Sequence, residues 1–258
     1  MKAIILAAGP SCMRHGFPIF AKPKCLYHYY GHIILENNIR VLNACGINDI
    51  RVVVGYKHKA IKKFCQEKNL NVEIVFNRNW KNDAVKSLLV GIENVTDDIL
   101  LLEGDNLWTD INHIKNVMAC QAPLVRTKLK KPWGKSIDED YRGDVSHNLC
   151  KMTGEVLADL TQKAYQYKKK YTQKYAQHIG GRINDGSGIA LGFTVIGFFI
   201  NNKGLIGEVS REEQLPDLDY YWQTDEYKNS HFLVQLKSRG YNKLFKLLGK
   251  LKIIFKKR

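Results

Sequence analysis

Lys2-Ala3-Ile4-Ile5-Leu6-Ala7-Ala8-Gly9 opens the chain. An apolar run this short, ending in small residues and a glycine, reads as a buried strand that runs straight into a loop. Working outward, residues near 32 to 45 carry Ile34, Leu35, Ile39, Leu42 and Ala44 at helical spacing, with Gly46 placed to close the helix. Ile50-Arg51-Val52-Val53-Val54-Gly55 is β-branched and predicts a second buried strand. A helix near 57 to 68, a strand near 72 to 76, a helix near 83 to 94 and a strand at Ile99 to Leu102 continue the alternation. Strand and helix in strict turn imply right-handed crossovers and a mainly parallel sheet. The expected class is therefore α/β, a Rossmann-like mixed sheet with helices on both faces.

Beyond about residue 120 the alternation weakens. The sequence reads there as mixed strand, loop and helix up to a last apolar strand near Ala190 to Ile200, a suitable second half for binding a second substrate. Leu160 to His178 is rich in Lys and Tyr and lacks Gly and Pro, which suggests an exposed helical insertion. No repeat or low-complexity linker interrupts the chain. The expected organisation is one domain over residues 1–239, with halves meeting near 120, followed by an extension over 240–258. In that extension Leu244, Leu247, Leu248, Leu251, Ile254 and Phe255 keep helical spacing with lysines between them. This is a basic amphipathic helix, suited to an anionic membrane surface or to packing on protein.

Forty Lys and Arg against 25 Asp and Glu leave a net charge of +15, which calls for an anionic partner. Nucleic acid is a poor candidate, because no helix-turn-helix, zinc-finger or aromatic RNA-binding signature accompanies the charge. The six cysteines show no CxxC spacing and read as idle thiols. The first apolar run is too short for a signal peptide, and no stretch reaches the roughly 18 to 20 apolar residues of a membrane span. A cytoplasmic address is expected, peripheral on the inner membrane face if the last helix binds lipid. Oligomeric state is left open.

In an open parallel sheet ligands bind beyond the carboxyl ends of the strands. The first such end offers Ala7, Ala8 and Gly9, small residues that let backbone approach phosphate, followed by the cations Arg14, Lys22 and Lys24. The strand at 99–102 ends in Glu103-Gly104-Asp105, where a carboxylate can hold a hard cation.

Ala7-Ala8-Gly9 followed by Pro23-Lys24-Cys25-Leu26 resembles the sugar-phosphate and phosphocholine nucleotidyltransferase family, of nucleotide-diphospho-sugar transferase (GT-A-like) fold. Gly31 to Asn37, the Gly46 to Ile50 turn, Gly55-Tyr56-Lys57, Asn77, Ser87-Leu88 and Gly104-Asp105 follow in family order over roughly the first 110 residues. The loop Gly9-Pro10-Ser11-Cys12-Met13-Arg14 departs from the pattern, lacking the usual second glycine and running one residue longer.

The resemblance implies magnesium-dependent transfer of a nucleoside monophosphate from a triphosphate to a small phosphorylated acceptor. It implies nucleotide contacts from Ala7, Ala8, Gly9, Asn77, Ser87 and Gly104, phosphate contacts from Lys24 and Arg14, and magnesium ligands Asp105 and Asp225. It also suggests Lys163 for the acceptor phosphate. The strip Leu215 to Trp222 mixes carboxylates with aromatic faces, a combination that holds an ammonium group. Asp219, Tyr221 and Trp222 are accordingly the expected acceptor contacts. That chemistry favours phosphocholine or aminoethylphosphonate as acceptor and CTP as donor. A sugar 1-phosphate or polyol phosphate acceptor is the alternative, and a basic nucleic-acid binder or an inactive regulatory relative stands outside the enzyme class.

Overall fold

Alternate residues of the first strand face opposite sides of a sheet, and that alternation organises the computed structural model. It describes residues 1–9, 22–81, 83–130, 145–174 and 188–211. The chain divides by its internal contacts into Met1–Leu215 and Pro216–Arg258, and all described residues belong to the first unit.

The main sheet contains β1 (Lys2–Ala7), β4 (Ile50–Val54), β5 (Glu73–Phe76), β6 (Ile99–Glu103), β7 (Leu124–Leu129), β8 (Val145–Met152) and β9 (Ile206–Arg211). A two-residue-per-arm hairpin, β2 (His28–Tyr29) with β3 (His32–Ile33), stands apart. The order across the main sheet is β5-β4-β1-β6-β8-β7-β9. β1 pairs in parallel with both β4 and β6, whereas β8 runs antiparallel to β6 and β7, and β7 is parallel to β9. The sheet is mixed and mainly parallel, as expected.

Ile4, Val53, Ile99, Leu101, Cys150 and Met152 face one helical layer, formed by α3 (Ala84–Gly91), α5 (Gly154–Lys174) and α6 (Gly188–Asn201). Their neighbours Ala3, Ile5, Val52, Val54, Leu100, Leu102 and Leu149 face the other, formed by α1 (Ile34–Ala44), α2 (His58–Glu67) and α4 (Ile111–Ala119). Both faces of the central strands are thus buried, which is why those strands read as continuous apolar runs. Gly46, at φ +86°, ends α1 in the left-handed region, and Ile47 N–H returns to the Leu42 carbonyl.

Two expectations for the second half are corrected. The apolar segment near 190–200 is helix α6, not a strand. A run that is apolar on every side carries no period to separate the two, and its fourteen-residue length suits a buried helix. The Lys- and Tyr-rich segment is, as far as Lys174, part of α5, and that part is no exposed insertion. Leu157, Leu160, Ala164, Tyr167 and Tyr171 form a buried stripe along it, in the same apolar cluster as Phe198 and Phe199 of α6. The aromatic rings bury the stripe while the lysines keep to the outer side.

None of the described helices is long and apolar enough to cross a membrane. Cys25, Cys65 and Cys150 are buried free thiols, and Cys45 and Cys120 are half-buried and also free. The expected helix over 240–258 lies outside the described residues, as does the expected boundary at 239.

Candidate active site

The chain leaves β1 towards β4 and β5 on one side, then crosses back to place β6 on the other. β1 and β6 therefore flank a topological switch point, where an open α/β sheet forms its crevice. β1 brings Ala7, Ala8 and Gly9 to this place, and β6 brings Glu103, Gly104 and Asp105. The β1 tip is bonded to both neighbours: Gly104 N–H, after β6, donates to the Leu6 carbonyl at 2.9 Å, and Tyr56 N–H, after β4, donates to the Ala8 carbonyl at 3.0 Å.

Lys24 opens a 3₁₀ turn, Lys24–Leu26, that leads into the hairpin and α1. Its ammonium donates to Asp105 Oδ2 at 2.8 Å, joining residues 81 positions apart. Burial pushes the Asp105 carboxyl upward, but the Lys24 charge and hydrogen bond outweigh it and hold the group below the usual carboxylate range. A fixed anion and a fixed cation thus meet at the crevice.

Four asparagines absent from the expected set hold this pair. Asn38 of α1 donates to the Asn106 carbonyl at 2.8 Å and accepts from Trp108 N–H at 3.0 Å. Its neighbour Asn37 donates to the Trp108 carbonyl at 2.7 Å. Asn106 reaches Asp105 Oδ1 with a long 3.4 Å contact and accepts from Asn148 of β8 at 3.0 Å. The loop after β6 is therefore bonded to α1 through its peptide groups, and α1 follows directly on the Lys24 turn. Two adjacent asparagines, poor helix formers, in the first half of a helix were the available signal.

The other expected residues fall in two groups. Asn77 is buried, donates to Ser87 Oγ at 2.9 Å and accepts from Asn79 N–H at 2.9 Å, so the expected nucleotide contacts Asn77 and Ser87 bond to each other beyond the tip of β5. Lys163 stands in the middle of α5, ion-paired with Asp159 one turn earlier. Arg14, Asp219, Tyr221, Trp222 and Asp225 lie outside the described residues.

A divalent cation needs hard oxygen donors here, and the Asp105 carboxylate, held ionised, is of that kind. Among the described residues no three His, Cys, Asp or Glu side chains converge as a metal cage. One protein carboxylate with open positions for water and phosphate oxygens fits magnesium, which seldom occupies an all-protein cage.

A family profile for the MobA-like NTP transferase domain matches residues 3–134, just over half of the chain. The chain belongs to that family. It is a nucleotidyltransferase, and β1 from Ala3 onward, the Lys24 turn, α1 to α4 and β4 to β7 all lie within the matched part.

Among similar proteins, the CTP:phosphoglutamine cytidylyltransferase of Campylobacter jejuni is 26% identical over 195 residues, covering 70% of this chain and 71% of that protein. A bifunctional sugar-1-phosphate nucleotidylyltransferase/acetyltransferase of Sulfurisphaera tokodaii is 28% identical over 133 residues, 51% of this chain. The matched part spans only 32% of that longer protein. The solved inositol-1-phosphate CTP transferase of T. maritima superposes with a TM-score of 0.59 at 13% identity, over 93% of this nucleotidyltransferase and 96% of that chain. The CTP:phosphocholine cytidylyltransferase of Streptococcus pneumoniae gives 0.56 at 17% identity, over 88% and 98%. At such identities the superpositions establish the shared fold.

Proposed function

We propose that this nucleotidyltransferase moves a cytidylyl group from CTP to a small phosphorylated acceptor of the phosphocholine or aminoethylphosphonate kind, releasing pyrophosphate. The observation that carries the reading is the Lys24 to Asp105 pair at the switch point, joined at 2.8 Å. CTP is favoured because the relative matching 70% of the chain is named for that donor.

The small tip residues Ala7, Ala8 and Gly9, with Gly104 beside them, let the triphosphate approach backbone N–H groups. Lys24 offsets charge on the departing pyrophosphate, helped by Arg14. Asp105, with Asp225 as a second carboxylate, would hold magnesium, which when bound supplies positive charge against the phosphates. The acceptor phosphate is already an anion, so no protein nucleophile is needed, and the chain's work is alignment and neutralisation. Asp219, Tyr221 and Trp222 suit the amino or ammonium end of the acceptor. Residues 240–258 suit an anionic membrane surface, appropriate for an enzyme that activates headgroups or surface-glycan precursors.

Pyrophosphate release, measured with CTP, UTP, GTP and ATP against phosphocholine, aminoethylphosphonate and a sugar 1-phosphate, tests the reading. Turnover is expected with CTP and one of the first two acceptors. Asp105→Ala and Lys24→Ala should each lower kcat/KM by roughly a hundredfold or more, about 2.7 kcal/mol of transition-state stabilisation. Full turnover in both variants, or release that ignores the acceptor, would sink it.

A further inference from the structure

A second group of polar side chains gathers at the carboxyl edge of the sheet, centred on Arg211, which closes β9. Arg211 is 8% exposed, and its guanidinium carbon lies 4.8 Å over the Trp108 ring. Trp108 follows Asp105 by three residues and is fully buried. Its ring stacks on that of His113 in α4, with centroids 6.2 Å apart and planes 11° from parallel. His113 in turn bonds Thr127 of β7 through Nε2 at 2.8 Å.

Two buried donors of this cluster have no hydrogen-bond partner: Arg211 Nη1 and Trp108 Nε1. The remaining such atoms among the described residues are His113 Nδ1, which meets the Ser210 backbone, and the hydroxyls of Thr153 and Thr172, none of which carries charge. Among the described residues no carboxylate bonds Arg211, and the exposed Asp110 acts on it only through its field. Burying part of a guanidinium, here Nη1, without a bonded anion is costly. Arginine and the indole N–H are donors only, so no shift of protons lets them satisfy one another. The missing component is an acceptor. Water would accept the bonds but leave the charge unbalanced, whereas an oxyanion answers both.

We propose that Arg211 and Trp108 form an oxyanion receptor, and that its occupant is the phosphoryl group of the acceptor substrate. The place in the fold supports that assignment. β7 and β9 lie on the opposite side of β6 from the nucleotide-side strands β1, β4 and β5, and Trp108 belongs to the loop that carries Asp105. The assignment to the acceptor rests on the cytidylyl-transfer reading; the oxyanion site does not.

Inorganic phosphate is the first probe, titrated into the full chain while the Trp108 indole N–H resonance, assigned through Trp108→Phe, is followed by NMR. A saturable downfield shift is expected in the wild type and in Lys24→Gln, and not in Arg211→Gln. No shift, or an equal shift in Arg211→Gln, overturns the site. Thermal unfolding gives an independent readout. Arg211→Met should be more stable than the wild type without phosphate, because an unbalanced buried charge is gone, and should gain nothing when phosphate is added. A plain loss of stability in Arg211→Met, with phosphate without effect on the wild type, makes the arginine structural and overturns the proposal.

Turnover then names the occupant. Arg211→Gln should raise the acceptor KM roughly tenfold or more with the CTP KM unchanged, and Arg211→Lys should recover part of the loss. A rise in the CTP KM instead would mean the site holds a triphosphate and overturns the acceptor assignment. Should the wild type turn over no triphosphate and acceptor pair, the cytidylyl reading fails and the acceptor assignment with it, while the phosphate titration still decides the site.

Discussion

A β-carbon on Gly104 would stand 2.7 Å from the Leu6 carbonyl oxygen and 3.0 Å from Ala7 Cβ. Those neighbours are the backbone and stub of the strand beside it, so they cannot turn aside as a long side chain could. Gly104→Ala should therefore cost about 1 to 3 kcal/mol of stability in urea unfolding and lower activity further, because it parts the tips of β1 and β6. An unchanged urea midpoint would show that the tips yield freely. His113 supplies a second test at this scale. Burial, and after it the Arg211 charge, push its pKa down from 6.5 to about 4. The folded chain then keeps the ring neutral where the unfolded chain would protonate it. The resulting stability is complete above about pH 6.5 and is lost as pH falls towards 4. Between pH 7 and pH 4.5 the wild type should lose about 2 to 3 kcal/mol more than His113→Gln, measured by urea unfolding at both values. Equal losses would remove His113 as the cause. Gly104 and Asp105 were legible as residues because they sit beside a strand end that an apolar run marks, and Lys24 because the Pro23-Lys24 pair carries the family resemblance. Arg211 and His113 were not, since nothing in their local sequence distinguishes a buried ring or guanidinium from an exposed one.

Helix α1 acts as more than a cover for the sheet. It lies between the Lys24 turn and the loop after β6, and Asn37 and Asn38 bond three peptide groups of that loop. Asn38→Leu keeps the side-chain size but removes two buried bonds and leaves their backbone partners unsatisfied, at about 2 to 4 kcal/mol. Activity should fall beyond what that destabilisation explains, because Asp105 loses its support. In an Asp105→Ala background the same substitution should have little further effect on turnover. Additive losses in that cycle would show that Asn38 works independently of Asp105. The periodicity of α1 was plain in the sequence, yet its bonding face was hidden, because an asparagine directed into a helix-loop contact reads like one directed into water. α6 failed in a different way, since uniform apolarity carries no period. α5 was seen as helical but placed on the outside, because its tyrosines were counted as polar when their rings fill the core.

The net charge of +15 is unevenly spread, with seven cations and no acidic residue between 243 and 258. If that segment lies on lipid as proposed, the full chain should sediment with anionic vesicles, weaken in high salt, and lose most binding when shortened to residue 239. Equal sedimentation of the two forms would place the membrane contact elsewhere. The α/β class, the seven elements of the alternation and the positions of the two strand tips were determined by the sequence alone. Each follows from a local rule, in which strand and helix periods, small residues and glycines announce themselves within a few neighbours. The order of the strands, the bond between Lys24 and Asp105, the grip of α1 on the loop after β6 and the meeting of Arg211 with Trp108 were decided only by the tertiary structure. These contacts join side chains tens of residues apart, and no local pattern encodes which strand tips a crossover will bring together.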